Sequence, residues 1–258
     1  MGKIIAVFNQ KGGVGKTTTS VNLASALAMK GHRVLAVDID PQGNATSGFG
    51  LDKSQLETTI YDCLFNEVSM EEAITETEQE NLFVVPANIE LAGAEIELTK
   101  AAHRENTLKE SLRLVQHNYE YILIDCPPSL GLLSINALTA ANSVIIPIQC
   151  EYYALEGVSQ LVNTVKLVKR NLNPVLEIEG IILNMYDGRT NLSIQVVEEV
   201  KKYFKDKVYK AIIPRNVRLA EAPSFGMSIL TYDEKSKGAE AYLALAEEFL
   251  SRNIGGLK

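Results

Sequence analysis

The chain has 258 residues, 46% hydrophobic and 22% charged, which is ordinary for a globular protein and enough for one large or two small domains. No apolar run reaches the length of a membrane span. Its three cysteines, Cys63, Cys126 and Cys150, are too scattered for a disulfide framework or a paired-cysteine metal site, which leaves reduced core thiols. A formal net charge of −7 argues against wholesale binding to nucleic acid, so any such contact has to come from a local patch.

Residues 4–8, Ile4-Ile5-Ala6-Val7-Phe8, read as a strand. The N-terminus opens directly on it, without the regions of a signal peptide. Met1-Gly2 is not followed by the Ser or Thr at position 6 that myristoylation needs, since that residue is Ala6. A cytoplasmic location is the expectation. Next comes Gln10-Lys11-Gly12-Gly13-Val14-Gly15-Lys16-Thr17-Thr18, then apolar residues at Val21, Leu23, Ala24, Leu27 and Ala28, which is helical spacing. Strand, glycine loop and helix are the context of a phosphate-binding loop. Glycines without a Cβ let the chain curl around phosphates and turn its amides inward, and the helix dipole points its positive end at the same place. Gly12, Gly13, Val14, Gly15, Lys16, Thr17 and Thr18 are the expected phosphate cradle. Lys16 supplies a mobile charge for the β- and γ-phosphates, and the Thr17 hydroxyl is the natural Mg²⁺ ligand. The ordinary motif has a glycine where this chain has Gln10, and a second lysine, Lys11, opens the loop.

This loop closely resembles the deviant Walker A motif of the ParA/MinD ATPases. Later motifs are similar to the chromosomal ParA (Soj) branch along nearly the whole chain. The resemblance implies that Lys11 reaches across a nucleotide-sandwich homodimer to the partner's phosphates.

The second strand, residues 34–38, ends in Asp38-Ile39-Asp40-Pro41-Gln42-Gly43-Asn44. On the residues alone, a turn and a metal or water site stand level. The segment also resembles the switch I of the family, where Asp40 orients the attacking water. Residues 58–65 and 70–74 read as short helices, and the acidic run 71–80 as a solvated face. Residues 82–86 are a third strand, and 89–98 and 107–117 are helical. The fourth strand, 121–125, carries four apolar residues into Asp125 and continues as Cys126-Pro127-Pro128-Ser129, which resembles the family's switch II. Asp125 then holds Mg²⁺ through water, with Asp40 in the same outer shell.

Residues 143–148 are a fifth strand. The segment from Cys150 to Gly157 resembles the part of ParA that helps to form the dimer face, and it opens a helix to Lys169. A sixth strand, 178–185, brings in Asn184, whose amide can pair with an adenine edge, as the family uses it. A seventh ends in Ile213-Pro214-Arg215-Asn216, with Pro214 and Asn216 expected over the base. Residues 201–218 hold Lys201, Lys202, Lys205, Lys207, Lys210, Arg215 and Arg218 against Asp206 alone, which reads equally as a phosphate-binding patch or a solvated face. Arg189 and Arg218 match positions that carry non-specific DNA binding in ParA proteins. The final helix, 239–250, is acidic to neutral and its tail ends in Gly255-Gly256-Leu257-Lys258, unlike the basic amphipathic membrane helix of MinD relatives.

Alternating strands and helices with no linker or repeat define one α/β domain over residues 1–258, a single P-loop domain with a mostly parallel twisted sheet flanked by helices on both faces. The resemblance implies a slow ATPase that dimerises with ATP and Mg²⁺ and then binds double-stranded DNA without sequence preference. It also implies a location on the nucleoid rather than the membrane, a ParB-type centromere-binding partner that stimulates hydrolysis, and a role in chromosome or plasmid segregation. The replication initiator DnaA is a further partner it admits. The alternatives are a MinD-like membrane-positioning ATPase and a nucleotide-gated regulator of replication initiation or transcription. A nitrogenase-like redox relative would need paired cysteines that the chain lacks.

Overall fold

The computed structural model describes residues 2–65, 67–151 and 154–253, the side chains of 154–157 apart. Its strands are β1 (Lys3–Val7), β2 (Val34–Asp38), β3 (Thr75–Glu76), β4 (Leu82–Val85), β5 (Tyr121–Asp125), β6 (Ser143–Gln149), β7 (Glu177–Tyr186) and β8 (Val208–Pro214). They form one sheet in the order β3-β4-β2-β5-β1-β6-β7-β8, parallel throughout except where β3 meets β4. Seven of these are the strands expected from the sequence. The eighth, β3, is a two-residue edge strand inside the acidic run, too short to leave a periodic signal.

The alternation of side chains along the strands builds two cores. Ile4, Ala6, Leu35, Val37, Ile122 and Ile124 face one, and Ile5, Val34, Ala36, Tyr121 and Leu123 face the other. Strands buried on both faces read as continuous apolar runs, which is why they were visible in the sequence. The first core is closed by helices that include Leu91–Leu98, Thr107–Val115 and Leu132–Ala140. The second is closed by Lys16–Met29 and the C-terminal helix Lys237–Asn253. The short helices Ile60–Leu64 and Met70–Ala73 begin at reciprocal caps, Thr59 with Asp62 and Ser69 with Glu72, each worth roughly 1 kcal/mol.

The chain leaves β1 toward β2 on one side, returns through β5, and crosses to β6 on the other. This reversal opens a crevice at the C-terminal strand ends, where ligands of parallel sheets bind. The dimer-face segment expected from the sequence falls partly on Tyr152 and Tyr153, and the tail partly on 254–258, all outside the described residues. Among the described residues, no helix is long and apolar enough to cross a membrane.

Candidate nucleotide site

β1 delivers the loop, and Gly15 turns it into the helix Lys16–Met29 through a left-handed backbone, φ 87°. Gly13 is left-handed too, φ 72°. A Cβ at Gly15 would stand 2.6 Å from Asn184 Nδ2, so the position demands glycine on both counts. Lys16 is only 7% exposed and donates Nζ to the Lys11 carbonyl at 3.2 Å. Burial pushes its ammonium pKa down, and the charge of Asp125 opposes that shift. Lys11 itself is exposed, and its ammonium has no hydrogen-bond or ion-pair acceptor among the described residues.

Asp38 and Asp125 end the neighbouring parallel strands β2 and β5 and stand side by side in register. Burial, then for Asp125 the charge of Asp38, raises both carboxyls above the usual range. Thr17 donates to Asp125 Oδ2 at 2.8 Å, and Ser20 donates to Oδ1 at 2.7 Å. Asp38 Oδ2 accepts from both the backbone and the hydroxyl of Thr46, and its Oδ1 accepts from Asp40 N–H. Asp40 is buried and caps its own turn by accepting from Gln42 N–H at 3.0 Å. The structure thus brings Lys16, Thr17, Asp40 and Asp125 to one crevice.

Sequence reasoning missed Ser20 and Thr46, and it read Asp38 only as one of two carboxylates at the end of the second strand, without its place beside Asp125. A small polar residue on a buried helix face was the available signal for Ser20, which is 1% exposed. Among the described residues no three His, Cys, Asp or Glu side chains converge as a metal cage. The Thr17 hydroxyl beside Asp125 is a pair that Mg²⁺ takes, with waters and phosphate oxygens completing its shell.

Beside the loop lies a cavity of about 250 Å³, lined among others by Gly15, Thr18, Asn184, Met185, Pro214 and Asn216. Asn184 Nδ2 donates to the Val14 carbonyl at 3.0 Å and lies near the Gly15 carbonyl and Thr19 Oγ1. Two carbonyls around that nitrogen fix the amide orientation. Its Oδ1 is buried and has no hydrogen-bond partner among the described residues. An orphaned acceptor on a residue that lines such a cavity suits a ligand that donates, such as the exocyclic amine of adenine. Met185, which follows, holds a left-handed φ of 56°, a strain of the kind found at ligand sites. Asn216 caps the helix Val217–Glu221 by accepting from Arg218 N–H.

The run 201–218 does not form one patch. Lys201 and Lys202 end the helix Asn191–Phe204, and Lys205 and Lys207 precede β8, whereas Arg215 and Arg218 follow it. The seven residues of β8 lie between Lys207 and Arg215 and hold them roughly 25 Å apart. Lys207 and Lys210 share a groove with Glu177, Glu179 and Glu248 at the opposite edge. Arg215 and Arg218 stay on the nucleotide edge, together with Arg189, which follows the C-terminal end of β7. Arg189 pairs in bidentate fashion with Asp187, at 2.8 and 2.7 Å, which pulls the Asp187 carboxyl down to about 2. Arg218 pairs with Glu221 at 2.9 Å and with Asp233 at 3.6 Å.

The AAA domain family matches residues 2–178. The sporulation initiation inhibitor protein Soj of Bacillus subtilis is 65% identical over 248 residues, 96% of this chain and 98% of that protein. The chromosome partitioning protein ParA of Myxococcus xanthus is 56% identical, covering 98% and 89% of the two chains. The chromosome-partitioning ATPase Soj of Treponema pallidum is 50% identical, covering 98% and 99%. A Mycobacterium smegmatis crystal structure described as cobyrinic acid a,c-diamide synthase with ATP analogue and magnesium superposes with TM-score 0.87 at 38% identity, covering 100% and 98%. The Pyrococcus furiosus cell division ATPase MinD superposes with TM-score 0.81 at 31% identity, covering 97% and 99%.

The strand–loop–helix, the paired strand-end carboxylates and the parallel sheet define a P-loop ATPase with a second lysine in its phosphate loop. The chain belongs to the ParA/MinD family, in its ParA/Soj chromosome-partitioning ATPase branch.

Proposed function

We propose that this chain is an ATP-driven dimerisation switch, one domain over its whole length, that binds DNA backbone when ATP-bound and moves a chromosome or plasmid with a ParB-type partner. The observation that carries the switch is Lys11. It is a lysine at the mouth of the phosphate loop, exposed and without an acceptor in its own subunit among the described residues. A cation placed there suits phosphates bound by a second copy.

In this reading Gly12, Gly13, Val14, Gly15 and Thr18 offer backbone amides to the triphosphate, and Lys16 offsets its charge. Thr17 would hold Mg²⁺, with Asp125 and Asp40 beside it, and the ion would supply charge stabilisation for the phosphate oxygens. Asp40 aligns water for in-line attack on the γ-phosphorus, and Lys11 of the partner subunit stabilises the charge that builds on the leaving oxygens. Asn184 reads the base, with Pro214 and Asn216 closing over it. Positioning and charge stabilisation carry the rate, so turnover is slow until the dimer and its stimulating partner are in place.

Arg189, Arg215 and Arg218 on the nucleotide edge supply phosphate contacts once two copies combine them. Arg189, Arg215 and Arg218 have to exchange their carboxylate partners, Asp187, Glu151 and Glu221, for DNA phosphates, which makes binding weak per subunit and sharply dependent on dimerisation. The location is then the nucleoid, and DnaA is a second protein that the switch can regulate. Specific activity measured against protein concentration tests the dimer requirement. Turnover per subunit rising with concentration, together with a doubled mass for Asp40→Ala in ATP but not ADP, is the expected outcome. Turnover independent of concentration in a monomer rejects it.

A further inference from the structure

The loop that carries Asp40 is fastened at its far end to a distant part of the chain. After the Asp40 turn comes the helix Asn44–Gly48, closed by Gly50 in the left-handed region, φ 86°. Arg218 sits on the helix Val217–Glu221, which runs into the 3₁₀ turn Ala222–Phe225 and is closed by Gly226, also left-handed, φ 65°. The two glycines meet backbone to backbone. A Cβ on Gly226 would stand 2.8 Å from Gly50 Cα, and one on Gly50 would stand 3.0 Å from the Gly226 carbonyl oxygen.

Both sides of this contact are anchored. On one side, Asp38 holds Thr46, and Thr46 Oγ1 accepts from Ala87 N–H. On the other, Ile229 N–H donates to Asn22 Oδ1 at 2.7 Å, tying the segment after Gly226 to the phosphate-loop helix. Asn22 in turn donates to the Thr18 carbonyl. Gly50 and Gly226 therefore close a circuit that runs from Asp40 to the phosphate loop without passing through bound nucleotide.

We infer that Gly50 and Gly226 are positioning residues for hydrolysis, their contact setting Asp40 against the phosphate loop and linking it to the segment that carries Arg218. This rests on the reading that Asp40 acts in hydrolysis. An added methyl at either glycine pushes the two segments apart by a few tenths of an ångström or more. An in-line attack tolerates such displacement poorly.

The test compares Gly226→Ala, Gly226→Asn, Gly50→Ala, Gly31→Ala and Asp40→Ala. Gly31 is the control for backbone strain alone, with φ 88° and nothing within 4 Å of an added Cβ. Asparagine tolerates the left-handed region and keeps the collision. Three readouts are taken: kcat and KM for ATP, ADP affinity, and hydrogen exchange of amides 217–227 with and without a non-hydrolysable ATP analogue. The expected result is a kcat lowered roughly tenfold or more in all three junction variants, with ADP affinity and folding retained. The exchange response to the analogue is abolished in those variants, and Gly31→Ala behaves as wild type in every readout. Junction variants matching Gly31→Ala in kcat and exchange overturn the inference. Wild-type turnover in Asp40→Ala overturns the underlying reading of Asp40 instead.

Discussion

Replacing Asn184 by alanine removes two functions that one amide performs, and nucleotide comparison separates them. Nδ2 makes a 3.0 Å bond to the Val14 carbonyl and longer contacts to Thr19 and Gly15. Its removal frees the loop and costs about 1 kcal/mol, which weakens every nucleoside triphosphate about fivefold. Oδ1 is buried and has no hydrogen-bond partner among the described residues, on a side chain that lines the cavity beside the loop. Deleting a hydrogen bond there removes about another 1–1.5 kcal/mol for ATP alone, roughly five- to tenfold. ATP affinity should therefore fall about 25- to 50-fold, and GTP affinity only about fivefold, so the preference for ATP narrows by the difference. Equilibrium titration of ATP, GTP and CTP against wild type and variant reads both. An unchanged ATP-to-GTP ratio refutes base reading by Oδ1, and unchanged GTP affinity refutes the grip on the loop.

Further predictions concern the dimer, acid stability and packing. Lys11→Ala and Asp40→Ala should each be inactive alone, yet a mixture should regain part of the activity, because mixed dimers hold one intact site; no recovery on mixing rejects action in trans. Glu179 is pushed up by burial, but hydrogen bonds from Lys3 and Asn253 outweigh this and hold its carboxyl below the usual range. A depressed carboxyl gives stability that is present above the unfolded value of about 4.3 and disappears as pH falls through the lower folded value. Glu179→Gln should then cost about 1 kcal/mol, or roughly 2–4 °C, at pH 7, with the gap to wild type closing below about pH 4. A gap that widens in acid contradicts the sign. Gly180→Ala puts a methyl 2.3 Å from the buried Tyr209 ring, so thermal melts should show a destabilisation of about 1–3 kcal/mol, and an unchanged melt rejects that collision.

The sheet was legible because β1, β2 and β5 are buried on both faces and leave apolar runs. The phosphate loop was legible because its glycines and lysine are contiguous. What escaped was set by neighbours distant in the chain. Asp38 gains its place from the strand register with Asp125, and Ser20 from the same carboxylate. Asn184 was read as a base contact from its strand end, but its hold on Val14 depends on how β7 approaches the loop. The basic run 201–218 looked continuous because sequence does not show that β8 carries its two ends to opposite edges.

The central claim is nucleotide-gated binding to the DNA backbone. Its most direct test is binding to two unrelated duplexes and to anionic liposomes, with ATP, ADP or no nucleotide, over a salt series, for wild type and Arg189→Ala/Arg218→Ala. The account predicts equal affinity for both duplexes with ATP alone. The salt slope should become shallower by about 0.9 for each phosphate that the double variant no longer neutralises. Binding to liposomes without binding to DNA, or DNA binding indifferent to nucleotide, would contradict it.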